Sequence, residues 1–169
     1  MVRTGYLGLG ANIGDRRAHL QSAVDGLAAV RITPTAASST YDTDPVGEIL
    51  DQPAFLNACV RVETELEPEA LLDACKALER ELGRAQDQAR HAPRTIDIDV
   101  LLLGDLTHRS ERLELPHPQV RERRFVLIPL LELDFELRTP DGASLADSLL
   151  ALPLSEGVRL DGPPLHLPG

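Results

Sequence analysis

The sequence is organised around the stretch Arg90-His91-Ala92-Pro93-Arg94-Thr95-Ile96-Asp97-Ile98-Asp99-Val100-Leu101-Leu102-Leu103. Its second half is rich in β-branched and aliphatic residues, and a proline before it and a glycine after it bound a predicted β-strand. Because alternate strand residues point to the same face, Asp97 and Asp99 are expected to present two carboxylates side by side, with Cα atoms roughly 6.6 Å apart. Ile98 and Val100 are expected to face a core.

Two neighbouring carboxylates repel each other unless a cation lies between them or one of them is protonated. Hard divalent ions such as Mg²⁺ take oxygen ligands of this kind. Arg84, Arg90 and Arg94 lie just upstream in a predicted loop. A metal-holding strand beside an arginine-bearing loop is what polyphosphate chemistry requires. The alternative is an amphipathic edge strand whose aspartates simply face water.

The composition limits the class of protein. A chain of 169 residues with 43% apolar residues can form one packed domain. The net charge of −10 argues against a sequence-independent nucleic-acid binder. We find no signal-peptide pattern and no apolar run of ~20 residues, so the chain is expected to be cytoplasmic, with no membrane contact. Cys59 and Cys75 belong to no CxxC motif and are expected to be buried and reduced.

The hydrophobic periodicity predicts the order strand, helix, strand, strand, helix, strand, followed by small C-terminal helices. This βαββαβ order indicates a ferredoxin-like α+β fold, with an antiparallel sheet and helices packed on one side of it. The strands and helices are expected at residues 4–9, 16–30, 31–41, 55–66, 67–82 and 96–103. Residues 1–152 are expected to form the single domain and residues 153–169 a proline-rich, loosely held tail.

Four further segments carry polar or glycine residues of interest. The run Gly8-Leu9-Gly10-Ala11-Asn12-Ile13-Gly14 matches neither a dinucleotide fingerprint nor a P-loop, so a tight strand-to-helix turn is favoured. Phe55 and Asn57 share one strand face, where they suit either a planar heterocycle or an ordinary polar cross-strand pair. His117 stands between two prolines, which favours a contact role over core packing. Residues 42–53 form a long predicted loop, typical of a lid or binding loop.

Several motifs in the same order resemble the 6-hydroxymethyl-7,8-dihydropterin pyrophosphokinase family of the folate pathway, from Gly8 to about Leu133. The most specific of them is the run from Arg90 to Leu101. Supporting motifs are Gly8-Leu9-Gly10-Ala11-Asn12, Asp51-Gln52-Pro53-Ala54-Phe55-Leu56-Asn57-Ala58, Leu115-Pro116-His117-Pro118 and Arg123-Arg124-Phe125-Val126-Leu127-Ile128-Pro129-Leu130.

The resemblance implies a role for each matching residue. Asp97 and Asp99 would hold two Mg²⁺ ions that bridge the ATP phosphates. Arg84 and Arg94 would contact the triphosphate. These four residues form the implied catalytic set. The implied nucleotide site also includes Glu79, Ile98, Arg112, His117 and Arg123. The implied pterin pocket consists of Thr43, Val46, Gly47, Phe55, Asn57 and Phe125, with the two aromatic rings on either side of the pterin. His91 stands where many members carry Trp.

The implied reaction transfers pyrophosphate from ATP to the hydroxymethyl group of 6-hydroxymethyl-7,8-dihydropterin and releases AMP. These two substrates are the expected partners, and the enzyme is expected to be a monomer. One alternative is a non-catalytic ferredoxin-like module that binds a small ligand. Another is a nucleotidyl transferase with the same D-x-D pattern, which would release pyrophosphate instead of AMP.

Overall fold

A computed structural model describes residues 1–44, 53–83, 96–154 and 157–168. The strands are β1 Arg3–Ala11, β2 Thr33–Ala37, β3 Thr40–Thr43, β4 Phe55–Thr64, β5 Asp97–Leu103, β6 His108–Arg109, β7 Glu114–Leu115 and β8 Val158–Gly162. The helices are α1 Arg16–Gly26, α2 Pro68–Gly83, α3 Arg124–Leu133 and α4 Leu145–Ala151, and a 3₁₀ turn at Leu27–Val30 follows α1. Among these residues, no helix is long and apolar enough to cross a membrane.

The main sheet has the order β5-β1-β4-β3-β8, and β2 also pairs with β4. All of these pairings are antiparallel. The fold is therefore α+β with an antiparallel sheet, as the sequence predicted. The β1 strand lies in the middle, between the aspartate strand β5 and the β4 strand, and its register with both determines which side chains meet.

The two helices of the βαββαβ order, α1 and α2, pack on one face of the sheet as expected, and the C-terminal helices α3 and α4 cover part of the other face. The apolar stripes of α1 and α2 share one core with alternate residues of β1, β4 and β5, among them Leu7, Val60 and Ile98. A second core on the opposite face joins α3 and α4 to Tyr6, Cys59 and other sheet residues. The second core leaves part of its face of the sheet open, and the site described below lies there.

The glycine-rich run differs from its prediction. Gly8 and Gly10 lie inside β1 and not in a turn, because the strand extends to Ala11. Gly14 does occupy the turn, with a φ of 64° that favours glycine. The first helix then begins at Asp15, whose carboxylate accepts a hydrogen bond from the N–H of Ala18 at 3.1 Å.

The predicted second strand is two strands, β2 and β3, separated by Ser38 and Ser39. The Ser38 N–H donates to the Cys59 carbonyl at 2.9 Å, and the Ser38 hydroxyl accepts from the Cys59 N–H at 2.9 Å. The break therefore keeps its backbone partners on β4. Because β3 begins a new pairing there, it can pair with β4 on one side and with β8 on the other.

Residues 157–168 are not loosely held, so that part of the tail prediction is wrong. The β8 strand is part of the main sheet, and Leu165 is only 4% exposed within the core formed with α1. Arg17 donates to the carbonyls of Pro163 and Pro164 at 2.9 and 3.2 Å. This strand shows no hydrophobic periodicity in the sequence because it has only five residues and lies between prolines.

Candidate active site

A cavity of about 250 Å³ opens on the face of the sheet opposite α1 and α2. Its walls come from β1, β3, β4, β5 and the beginning of α3. The residues that line it are Gly8, Leu9, Gly10, Thr43, Asp44, Phe55, Asn57, Ala58, Cys59, Asp97, Asp99, Leu101, Arg123, Phe125 and Val126. Seven of the fifteen residues that the resemblance implied for the site are in this set.

The floor of the cavity is the bare backbone of β1. Gly10 pairs with Asn57 on one side and with Asp97 on the other, and Gly8 likewise lies between Cys59 and Asp99. Because glycine has no side chain, a strip two interstrand spacings wide, ~9.6 Å, separates the carboxylates from the β4 side chains. A Cβ at Gly10 would lie 2.9 Å from Asn57 Oδ1. The strip therefore requires glycine at that position.

The aspartates line one side of the cavity. Asp97 and Asp99 both reach it, whereas Ile98 between them is fully buried on the opposite face. This alternation is the one that the sequence predicted. It also means that the Ile98 side chain faces away from this cavity, and its implied place in the nucleotide site stays a prediction.

Glu79 lies behind the aspartate strand and outside the cavity. Its side chain is only 12% exposed, and its Oε2 accepts a hydrogen bond from the Ile98 N–H at 2.6 Å. Burial raises the pKa of Glu79, and the charge of Asp97 adds to the rise, while the Ile98 N–H and Lys76 oppose it. The carboxylate thus ties α2 to the middle of the aspartate pair, a contact that the resemblance did not imply.

The opposite side of the cavity carries two aromatic rings and an amide. Phe55 and Phe125 both line it, together with Asn57, which is 8% exposed. The Asn57 Nδ2 donates to the Thr43 hydroxyl at 2.6 Å, and its Oδ1 is directed toward Gly10. The Arg123 guanidinium lies 5.5 Å from the centroid of the Phe125 ring, within the range of a cation–π interaction.

Two other implied residues lie elsewhere. Arg112 lies outside this cavity and forms surface ion pairs with Glu69, at 3.3 Å, and with Asp73, so its implied role in the nucleotide site stays a prediction. His117 lines a second cavity of about 440 Å³, and its Nδ1 accepts from the Gln119 N–H at 3.1 Å. Burial lowers the pKa of His117, which leaves the ring neutral at pH 7. Arg84, Arg94, Val46 and Gly47 are outside the residues that the structure describes.

The structure adds residues that sequence reasoning missed, namely Gly8, Gly10, Asp44, Cys59, Leu101 and Val126. The two glycines carried a usable signal, because glycine inside a strand often marks a close approach of a ligand to the backbone. Leu101 follows Asp97 and Asp99 at the same spacing and was predictable from the alternation. Asp44 had no such signal, since it belongs to the wall only through the pairing of β3 with β4.

The donor set suits Mg²⁺ that is shared with a ligand. Within the described parts of the chain, no group of three or more His, Cys, Asp or Glu side chains is placed to hold a metal. Mg²⁺ is commonly bound by one or two carboxylates, with water and substrate phosphates completing its shell. Asp97 and Asp99 on one cavity wall fit that pattern and do not form an all-protein cage.

Comparison with known proteins gives a consistent result. A model of the 7,8-dihydro-6-hydroxymethylpterin-pyrophosphokinase (HPPK) family matches residues 6–135. A 2-amino-4-hydroxy-6-hydroxymethyldihydropteridine pyrophosphokinase of Pseudomonas aeruginosa is 40% identical over 163 residues, covering 96% of this chain and 99% of that protein. The protein of the same name from Methylorubrum extorquens is 51% identical over 129 residues, covering 76% and 80%.

Solved structures share the fold. A crystal structure of Plasmodium falciparum HPPK-DHPS with SDX-DHP superposes with a TM-score of 0.70 at 16% identity, covering 89% of this chain and 44% of that one. This chain therefore spans less than half the length of that two-part protein. At such low identity, the likeness concerns the fold alone.

Proposed function

The chain belongs to the 7,8-dihydro-6-hydroxymethylpterin-pyrophosphokinase family, whose members are pyrophosphokinases of folate biosynthesis, and we propose how its residues carry out that reaction. The donor is ATP and the acceptor is the hydroxymethyl group of 6-hydroxymethyl-7,8-dihydropterin. The hydroxymethyl oxygen forms a bond to the β-phosphorus, the bond from that phosphorus to the AMP oxygen breaks, and the hydroxyl proton leaves to solvent.

One observation carries the assignment of the cavity. Its two sides differ in chemistry, with carboxylates on β5 and aromatic and amide groups on β4 and α3, across the bare glycine strip of β1. A flat, hydrogen-bonding heterocycle fits the second side, and a metal-bound polyphosphate fits the first. The strip brings the two reactants together, which lowers the entropic part of the barrier.

The pterin ring would lie between Phe55 and Phe125, and stacking would supply most of its contact area. The Asn57 amide is held by Thr43, so it meets the ring edge in one orientation. A fixed amide costs little entropy on binding and rejects rings that lack the matching donors and acceptors.

Asp97 and Asp99 would hold two Mg²⁺ ions, which when bound would neutralise charge on the phosphates during transfer. Glu79 braces the strand from behind through the Ile98 N–H, so the carboxylates keep their positions without cations. Arg123 adds a fixed positive charge at the cavity, and Arg84 and Arg94 would add two more. His117 lines the second cavity, toward which we place the rest of the nucleotide.

Other expectations belong to the same proposal. The ferredoxin-like topology is supported by the strand order, in which β1 lies between β5 and β4 and the second strand region pairs with the far side of β4. A monomer and a cytoplasmic location are also proposed, and because β8 belongs to the main sheet, the single domain is proposed to continue past residue 152. The non-catalytic ligand-binding module is not favoured, because the relatives are named as pyrophosphokinases.

The experiment incubates the protein with ATP, Mg²⁺ and the hydroxymethyl dihydropterin, and measures AMP and the pyrophosphorylated pterin. We expect equal amounts of both, and EDTA should stop the reaction. Asp97→Ala should lower the rate by about 10²-fold or more, whereas Asp105→Ala, an exposed aspartate beyond the same strand, is the matched control. Release of pyrophosphate without AMP would instead indicate nucleotidyl transfer, and full activity of Asp97→Ala would refute the metal role.

A further inference from the structure

The C-terminal strand β8 pairs with the strand that ends at the cavity. In the β3–β8 ladder, Thr43 lies opposite Val158 and Asp42 lies opposite Arg159. One residue further on, the Asp44 N–H donates to the Gly157 carbonyl at 3.0 Å. The backbone of β3 is therefore held by the C-terminal segment up to Asp44, which lines the cavity.

Ion pairs reinforce this backbone contact. Arg159 Nη2 donates to Asp44 Oδ1 at 3.0 Å and lies 3.5 Å from Asp42 Oδ2. Asp42 is held on its other side by Arg16, whose Nη1 is 2.9 Å from Asp42 Oδ1 and donates to the Ala54 carbonyl at 2.9 Å. The Arg159 and Asp44 side chains are 53% and 58% exposed, so the pair contributes little to stability. Arg159 instead orients the carboxylates of Asp42 and Asp44.

The Gly157 backbone lies directly against the Asp44 carboxylate, so the carboxylate leaves no room for a side chain at position 157. A Cβ at Gly157 would lie 2.0 Å from Asp44 Oδ2 and 2.8 Å from Asp44 Cγ. Any side chain at this position would push the carboxylate from its place and disturb its bond to Arg159. The carboxylate thus rests directly on the glycine backbone.

The neighbouring residue connects this contact to the ligand-binding amide. Thr43 precedes Asp44, and its hydroxyl accepts the hydrogen bond from Asn57 Nδ2 at 2.6 Å. We propose that β8 sets the pterin side of the cavity through this route, with Arg159 as a positioning residue that touches no substrate. This inference rests on the proposed function, because it assigns the ligand of that side as the pterin.

The test compares Arg159→Ala, Arg159→Lys and Gly157→Ala with Leu160→Ala, a largely exposed residue of the same strand, as the matched control. We expect Arg159→Ala and Gly157→Ala to raise the KM for the pterin by about 3- to 10-fold. The KM for ATP, kcat and the urea midpoint should stay close to the wild-type values. Arg159→Lys should recover part of the loss, and Leu160→Ala should match the wild type.

A double-mutant cycle tests the route through Asp44. If Arg159 acts by holding that carboxylate, Asp44→Ala combined with Arg159→Ala should be no worse than Asp44→Ala alone. Unchanged pterin KM in both Arg159→Ala and Gly157→Ala, or equal losses for ATP and pterin with a lower urea midpoint, would overturn the inference. An inactive wild-type protein would instead refute the proposed function, so the two failures are distinguishable.

Discussion

The substitution Gly10→Ala, which adds a single methyl group, tests whether the substrate lies on the bare glycine backbone at the floor of the cavity. The new Cβ would lie 2.9 Å from Asn57 Oδ1 and 3.8 Å from Phe55 Cδ1. An ordinary carbon–oxygen contact is about 3.3–3.6 Å. The amide must therefore move by about half an ångström, although its Nδ2 is already 2.6 Å from the Thr43 hydroxyl and cannot approach that group further.

The effect on stability should be small because two terms oppose each other. Weakening the Asn57–Thr43 hydrogen bond costs about 0.5–1.5 kcal/mol. Replacing a glycine inside a strand recovers roughly 0.5–1 kcal/mol of backbone entropy. The free energy of unfolding should therefore stay within about 1 kcal/mol of the wild type. Gly83→Ala is the control, since its Cβ would meet nothing within 4 Å.

The effect on binding should be larger, because the displaced amide no longer meets the pterin edge and leaves buried polar groups unpaired. That loss is about 1–3 kcal/mol, or roughly a 5- to 150-fold higher KM for the pterin. Initial rates at saturating ATP measure it, and urea unfolding of the same sample measures stability. A wild-type pterin KM in a folded Gly10→Ala protein would refute the view that the substrate lies on the glycine strip.

Three further predictions concern the rest of the molecule. Asp99→Asn should lower Mg²⁺-dependent turnover by about 10²-fold or more while leaving the thermal midpoint unchanged or higher, because it relieves carboxylate repulsion. Glu79→Gln keeps an acceptor for the Ile98 N–H but cannot ionise. Because folding raises the pKa of Glu79, the wild type loses stability as the pH rises above about 4.3. The gain in stability of the variant over the wild type, measured by urea unfolding, should therefore be largest at pH 7 and vanish toward pH 4. Leu165→Ala should lower the free energy of unfolding by about 2–5 kcal/mol in urea titrations, which a loosely held tail would not do.

Much of the fold follows from local patterns. The strict alternation around Asp97, Ile98 and Asp99 predicted which side chains face outward, and the helical stripe of α2 predicted its buried face. These patterns are local because a strand or helix repeats every few residues. Gly8 and Gly10 show the limit of this approach, since a glycine in a short run suits a turn and a strand equally until its partners on both sides are known.

Other features depended on contacts between distant segments. No sequence spacing relates Asp44 to Arg159, because the pairing of β3 with β8 joins parts of the chain more than a hundred residues apart. Likewise, no motif shows that the Glu79 carboxylate accepts a hydrogen bond from the Ile98 N–H, or that the Arg112 guanidinium pairs with Glu69. Their implied roles in the nucleotide site stay predictions. A motif identifies a residue type at a position, but the packing of the elements decides what that side chain meets.

The sequence by itself determined most of the helices and strands, the paired carboxylates on one strand face and the family, because each of these follows from short-range periodicity or from ordered motifs. Only the tertiary structure decided that the floor between the carboxylates and the aromatic side is bare glycine backbone, and that the C-terminal strand pairs with β3 up to the edge of the cavity. The reason is that register between strands is a long-range property. The register is the one that buries all the apolar side chains of a strand on the same face of the sheet, and the two paired strands are too far apart in the sequence for a local pattern to relate them.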